Sequence, residues 1–148
     1  MKRIKIREIE PGDCAEVFSM GSQEKYFCGF WPIETIRRIP ESQDAFSYVA
    51  EVDRELRGFV IGSYSASLGK VSVENLFVDK RYRTLLEDRD VIAGHLVKRA
   101  INYGAVKGAN IFSGLVDSTN SSSKNLCEKR GMKFSERNYL WGILQYEN

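Results

Sequence analysis

One histidine, His95, and three widely spaced cysteines, Cys14, Cys28 and Cys127, are a poor stock of metal ligands and disulfide partners for a chain of 148 residues. No CxxC pair occurs, so neither a zinc site nor a disulfide framework is expected, and three reduced thiols are the simplest state. An excess of charge is missing too. The 22 Lys and Arg face 20 Asp and Glu, a formal +2, and the basic residues are spread along the chain, which argues against nucleic acid as a partner. No apolar run approaches the roughly 18 residues of a membrane span. The opening MKRIKIREIEPGD passes from basic to mixed charge without the apolar centre of a signal peptide. No membrane partner and a cytoplasmic location are therefore expected. With 3 prolines and no low-complexity tract, nothing marks a linker.

What is present is enough apolar material for a core. At 43% hydrophobic residues the chain reads as globular, and its length suits one domain spanning residues 1–148. RIKIRE at 3–8 alternates charged and apolar side chains as an outer strand does, and Pro11-Gly12-Asp13 stops it and caps a helix running to about Met20. After an irregular aromatic stretch, Pro32 opens a short helix, IETIRRI. FSYVAEVD at 46–53 and LRGFVIGSYS at 56–65 read as a hairpin turning at Asp53-Arg54-Glu55. VSVENLFV at 71–78 is apolar on both faces apart from Ser72, Glu74 and Asn75, which suits a strand inside a covered sheet and puts Glu74 inside. From Leu85 to Tyr103 the residues Ile92, Ala93, Leu96, Val97, Ala100 and Ile101 recur at threes and fours, predicting a long amphipathic helix that ends at Gly104. His95 shares a face with Lys98, Arg99 and Asn102 and reads as a surface residue. A strand at 109–116, a helix from about Ser121 to Arg130 stopped by Gly131, and strands around 133–135 and 139–146 complete the order βα(α)βββαβαββ. This is an α/β (α+β) domain with a mixed sheet.

Four segments then fall in a known order with ungapped spacing: KIREIEPGD, FSYVAEVDRELRGFVIG, VENLFVDKRYR and NSSSKNLCEKRGMKF. On them the whole chain resembles the GNAT superfamily, the Gcn5-related N-acetyltransferases. The resemblance implies the GNAT fold, a mixed and mostly antiparallel central sheet of six to seven strands flanked by about four helices. It also implies an activity: transfer of an acetyl or related acyl group from coenzyme A to a primary amine, with a small-molecule or peptide acceptor and no metal. A lysine-like amine, with a reference pKa near 10.4, is almost wholly protonated at neutral pH, so a base must take its proton. Glu74 matches a position where some members carry that base, and burial among apolar neighbours would raise its pKa toward the working range. The alternative for Glu74 is a buried acid satisfied by backbone donors, Arg or Lys; Ser72 and Asn75 are the nearest backups. Cys127 stands where the family often has a tyrosine that protonates the departing thiolate, and is otherwise a small residue on a helix face.

The same resemblance implies that Phe77, Val78, Arg83, Thr84, Leu86, Asp88, Asn120 and Ser123 line the CoA site. Main-chain N–H groups around Phe77 and Val78 would serve the oxyanion. Phe30 and Trp31, with Phe27, fall where the family builds its acceptor wall, or are packing residues or a homodimer contact. Asn120 and the serines behind it also read as an N-cap.

One departure stands out. The family's phosphate loop is Arg or Gln, two residues, Gly, one residue, then Gly or Ala; here Arg83 leads, and Leu86 and Asp88 replace both glycines. Glycines there let backbone N–H groups approach the pyrophosphate at the helix mouth. A carboxylate about 6 Å from a phosphate charge costs roughly 1–3 kcal/mol for dielectrics between about 20 and 80. Around this junction Lys80, Arg81, Arg83 and Arg89 are balanced by Asp79, Glu87, Asp88 and Asp90, a local sum of zero. Glu87 and Asp88 would also complement the helix dipole themselves, by about 0.3–1 kcal/mol each. Two readings stay open: an acyltransferase with a remodelled loop, whose helix begins later, or a non-catalytic module on the same fold.

Overall fold

The computed structural model describes residues 3–22, 32–79 and 86–114, with Asn125, Leu126, Glu128, Lys129 and 131–133; for 86–91 it describes the main chain. Among these residues five strands form one sheet in the order β1-β2-β3-β4-β5: β1 Ile4–Glu8, β2 Ala45–Val52, β3 Glu55–Ser65, β4 Lys70–Val78 and β5 Ile111–Gly114. β1 to β4 are antiparallel neighbours, and β5 joins β4 in parallel. The helices are α1 Cys14–Gly21, α2 Ile33–Arg38 and α3 Leu86–Lys107. Asn125, Leu126, Glu128 and Lys129 are helical, as the late helix requires, and Gly131 ends the stretch at φ 85°. The strand expected at 139–146, and 134–135 of the one before it, lie outside the described residues. None of the described helices is long and apolar enough to cross a membrane.

The sheet separates two apolar layers. On one face Ile92, Ala93, Leu96, Val97 and Ala100 of α3 pack on Tyr48, Ala50, Val60, Val71 and Val78. On the other, Val17 and Met20 of α1 and Ile36 of α2 pack on Val49, Phe59, Ile61 and Phe77. Burial of a side chain such as Phe59, which is 0% exposed, contributes about 1.5–3 kcal/mol.

Several boundaries differ from the sequence reading. The hairpin turn has two residues, not three: Asp53 and Arg54 both take positive φ, 53° and 67°, the backbone of a type I′ turn that matches strand twist. Gly104 does not stop α3. It is buried against Val71, and the helix runs on to Lys107, where Gly108 at φ 78° ends it. Ile101 is not part of the apolar stripe; it is 37% exposed. Asp13 forms no side-chain cap on α1, because its carboxylate is taken by Arg7, with Nη1 at 2.6 Å, and by the N–H of Glu10 at 2.8 Å.

Candidate functional site

The site starts from an extra residue in β4. Across the ladder Ile61 pairs with Asn75 and Gly62 with Val73, so Glu74 has no partner position in β3 and forms a β-bulge. The core confirms the shift in phase. Val71 and Val73 belong to the α3 layer, and so do Leu76 and Val78, with a spacing of three between Val73 and Leu76 where regular alternation gives two. Two consecutive residues, Glu74 and Asn75, therefore oppose Ile61, whose side chain lies in the α1 and α2 layer. The bulge delivers a carboxylate to that face without disturbing the core on the other.

Among the described residues β4 pairs with β5 from Lys70 and Ile111 as far as Val73 and Gly114. From Glu74 onward, among the described residues, β4 has a strand neighbour on the β3 side alone. The N–H of Asp79 donates to the carbonyl of Arg57 at 2.7 Å. Alternation in an antiparallel ladder then turns the main-chain groups of Phe77 toward β3 and those of Leu76 and Val78 away from it. Of the two N–H groups expected near an oxyanion, that of Val78 lies on the side away from β3.

Glu74 is half-buried, and desolvation raises its pKa above 4.5 while the positive charge of Lys70 opposes the rise. The sequence expectation of an interior acid holds in part: Glu74 sits at a boundary. Ser72, a proposed backup, faces Ser113 with their hydroxyl oxygens 3.3 Å apart.

At the end of β4, Asp79 is 4% exposed and faces Arg57, with Oδ2 3.9 Å from Nη1. Arg57 also pairs with Glu55. The guanidinium gets there through a second bulge, since Ala50 pairs with Gly58 and Glu51 with Leu56, leaving Arg57 as the extra residue of β3. The carboxylate of Asp79 is thus directed into the sheet. The spacing of three between Leu56 and Phe59, both in the α1 and α2 layer, carries this shift, but it reads as a bulge only beside its partner strand, so the Arg57 and Asp79 pair was not foreseen.

α3 has begun by Leu86, so Leu86 and Asp88, at the positions of the family's loop glycines, lie in its first described turn. This corrects the reading in which the helix begins later. His95 is exposed on α3, as expected of a surface residue. Arg83, Thr84, Asn120, Ser123, Cys127, Phe30 and Trp31 lie outside the described residues, as do Phe27 and Cys28. Of the three cysteines, Cys14 is described, and it is a buried free thiol. A cavity of about 360 Å3, walled in part by Glu8, Phe46, Tyr48, Tyr103 and Lys107, lies at the far end of α3 and touches none of Glu74, Phe77 or Val78.

No protein-family model and no curated protein matches the sequence. Solved structures do match the fold. The aminoglycoside N-acetyltransferase AAC(6')-Iy in complex with CoA superposes with a TM-score of 0.76 at 18% identity, over 97% of this chain and 96% of that one. The same enzyme has been solved with the bisubstrate analogue CoA-S-monomethyl-acetylneamine. A PaiA N-acetyltransferase from Thermoplasma acidophilum in complex with coenzyme A gives 0.75 at 19% identity, over 92% and 93%. A transcriptional regulator from Bacillus halodurans gives 0.76 at 18% identity, over 95% and 100%. The chain has the fold of the GNAT acetyltransferases.

Proposed function

We propose that this chain is an N-acyltransferase that moves an acetyl or related acyl group from coenzyme A to a primary amine on a small molecule, by direct attack in a ternary complex. The observation that carries the reading is the bulged, half-buried carboxylate of Glu74, the extra residue of β4 opposite Ile61. Glu74 takes a proton from the ammonium form of the acceptor, directly or through one water. The amine nitrogen then attacks the thioester carbonyl, whose oxygen gains negative charge beside a main-chain N–H such as that of Val78. Collapse of the tetrahedral adduct breaks the C–S bond and forms the amide as the nitrogen gives its extra proton to solvent, and the released thiolate takes a proton from solvent or from Cys127. Arg83, Thr84, Asn120 and Ser123 hold the CoA arm and phosphates, with the amides at the mouth of α3. That solved neighbours on this fold carry CoA supports the donor, and the neamine analogue in one of them supports a small amine acceptor.

A second reading, a non-catalytic binding module, is favoured by the helix having begun by Leu86, which puts Glu87 and Asp88 in its first described turn as replacements for a bound anion. Calorimetry with CoA and with acetyl-CoA separates the two. Heat of binding with a thermal shift supports the transferase; neither signal at millimolar ligand rejects it in favour of the module.

A further inference from the structure

We infer that Asn75 is an acceptor-positioning residue of this site: its side-chain N–H donates to an oxygen that the acceptor carries on the carbon beside the one that bears its reacting amine. The inference rests on the acyl-transfer reading above. Asn75 is half-buried, and its Nδ2 atom is buried with no hydrogen-bond partner among the described residues. A buried donor left unmade destabilises a fold, whereas an apolar side chain of the same shape in its place costs little. The neighbours favour that apolar choice, since Ile61 across the ladder and Phe77 two residues on are both buried in the α1 and α2 layer. The packing of the described residues therefore gives no reason for an amide at this position.

The bulge supplies one. It sets Asn75 on the same face as Glu74 and immediately after it, and consecutive Cα atoms are about 3.8 Å apart. Atoms gripped by these two side chains therefore belong to neighbouring positions of one ligand. Glu74 receives the amine proton, and Asn75, by turning about its last side-chain torsion, offers N–H to an oxygen two carbons along from the nitrogen. The substrate class this selects is the 1,2-amino alcohol, including amino sugars, in preference to the plain alkyl amine.

The test uses the full chain, acetyl-CoA, and two probes that differ by OH against CH3: ethanolamine and propylamine. The wild type is expected to favour ethanolamine about tenfold in kcat/KM, carried mainly by KM, as loss of one directed hydrogen bond implies. Asn75→Leu should remove the preference and raise the ligand-free Tm by about 2–4 °C, because the orphan donor is gone. Asn75→Asp keeps the shape without the N–H; it should also lose the preference, and it keeps the test open if the leucine variant does not fold. The inference is overturned by a ratio that is the same in wild type and variants, by a wild type that distinguishes the two amines not at all, including by acetylating neither, or by a leucine variant whose Tm falls. CoA binding by calorimetry with an unchanged ratio removes Asn75 alone. No CoA binding removes the acyl-transfer reading itself.

Discussion

Gly104 of α3 rests directly on Val71 of β4: a Cβ added at Gly104 would stand 2.9 Å from Val71 Cγ2. In an exposed helix, replacing glycine by alanine gains about 1 kcal/mol. At this contact the sign should reverse, because a methyl group here forces two packed elements apart. Gly104→Ala is expected to lose about 1–3 kcal/mol in urea denaturation, and a gain would show that Val71 yields without cost.

The turn of the first hairpin gives the opposite expectation. Arg54 sits at φ 67°, a left-handed conformation that costs a non-glycine residue about 1–2 kcal/mol. Arg54→Gly should therefore stabilise the protein by about 1 kcal/mol, less the extra entropy glycine brings to the unfolded chain. Equal or lower stability would mean that Arg54 makes up the strain elsewhere.

Arg7 joins three elements. Its guanidinium bonds Asp13 with Nη1 at 2.6 Å and Nη2 at 3.0 Å, and Glu51 of β2 with Nε at 2.9 Å, all three side chains being about a fifth exposed or less. The hydrogen bond to Arg7 is the main cause that lowers the Asp13 pKa below 3.8, against the opposing effect of burial. A carboxyl lowered on folding adds stability above its unfolded value, and that stability is lost as pH falls through the folded value. Asp13→Asn should thus be less stable than wild type by about 1–2 kcal/mol at neutral pH, allowing for solvent screening. The gap should begin to close as pH drops below 3.8. A gap independent of pH would assign the loss to something other than the charge.

For Glu74 the shift is upward, caused first by desolvation and moderated by Lys70. A base is active when deprotonated, so the acidic limb of kcat/KM should lie above pH 4.5 and fall away as the carboxyl takes up its proton. Glu74→Gln should lower the rate by about 100-fold to 10,000-fold and abolish that limb, followed by release of the CoA thiol. A glutamine variant with the rate and the limb intact would remove Glu74 as the base and leave the transferase standing.

Much of this was legible in the sequence, for reasons that differ between fold and site. Alternation in RIKIRE, the two β-runs flanking Asp53-Arg54, and the threes and fours of Ile92 to Ala100 report burial directly, because one face of each element is dry. Gly104 misled because a local rule for helix ends cannot see Val71 across the layer. Glu74 was legible as an unusual acid among apolar neighbours. Its release from the ladder was not, since a bulge is a property of two strands and one strand's sequence carries half of it. The same holds for Arg57, the extra residue of the β3 bulge, and for its contact with Asp79.

The phase of β4 has a further outcome. Removing Phe77 or any other residue beyond the bulge would swap the two layers for the rest of the strand, sending aliphatic side chains to the wrong helices. Removing Glu74 alone would restore strict alternation and leave every core side chain where it is. Glu74 and Asn75 fill two positions of which the architecture needs one. A lineage on this scaffold can therefore gain or shed its reactive group by a single codon without rebuilding anything around it.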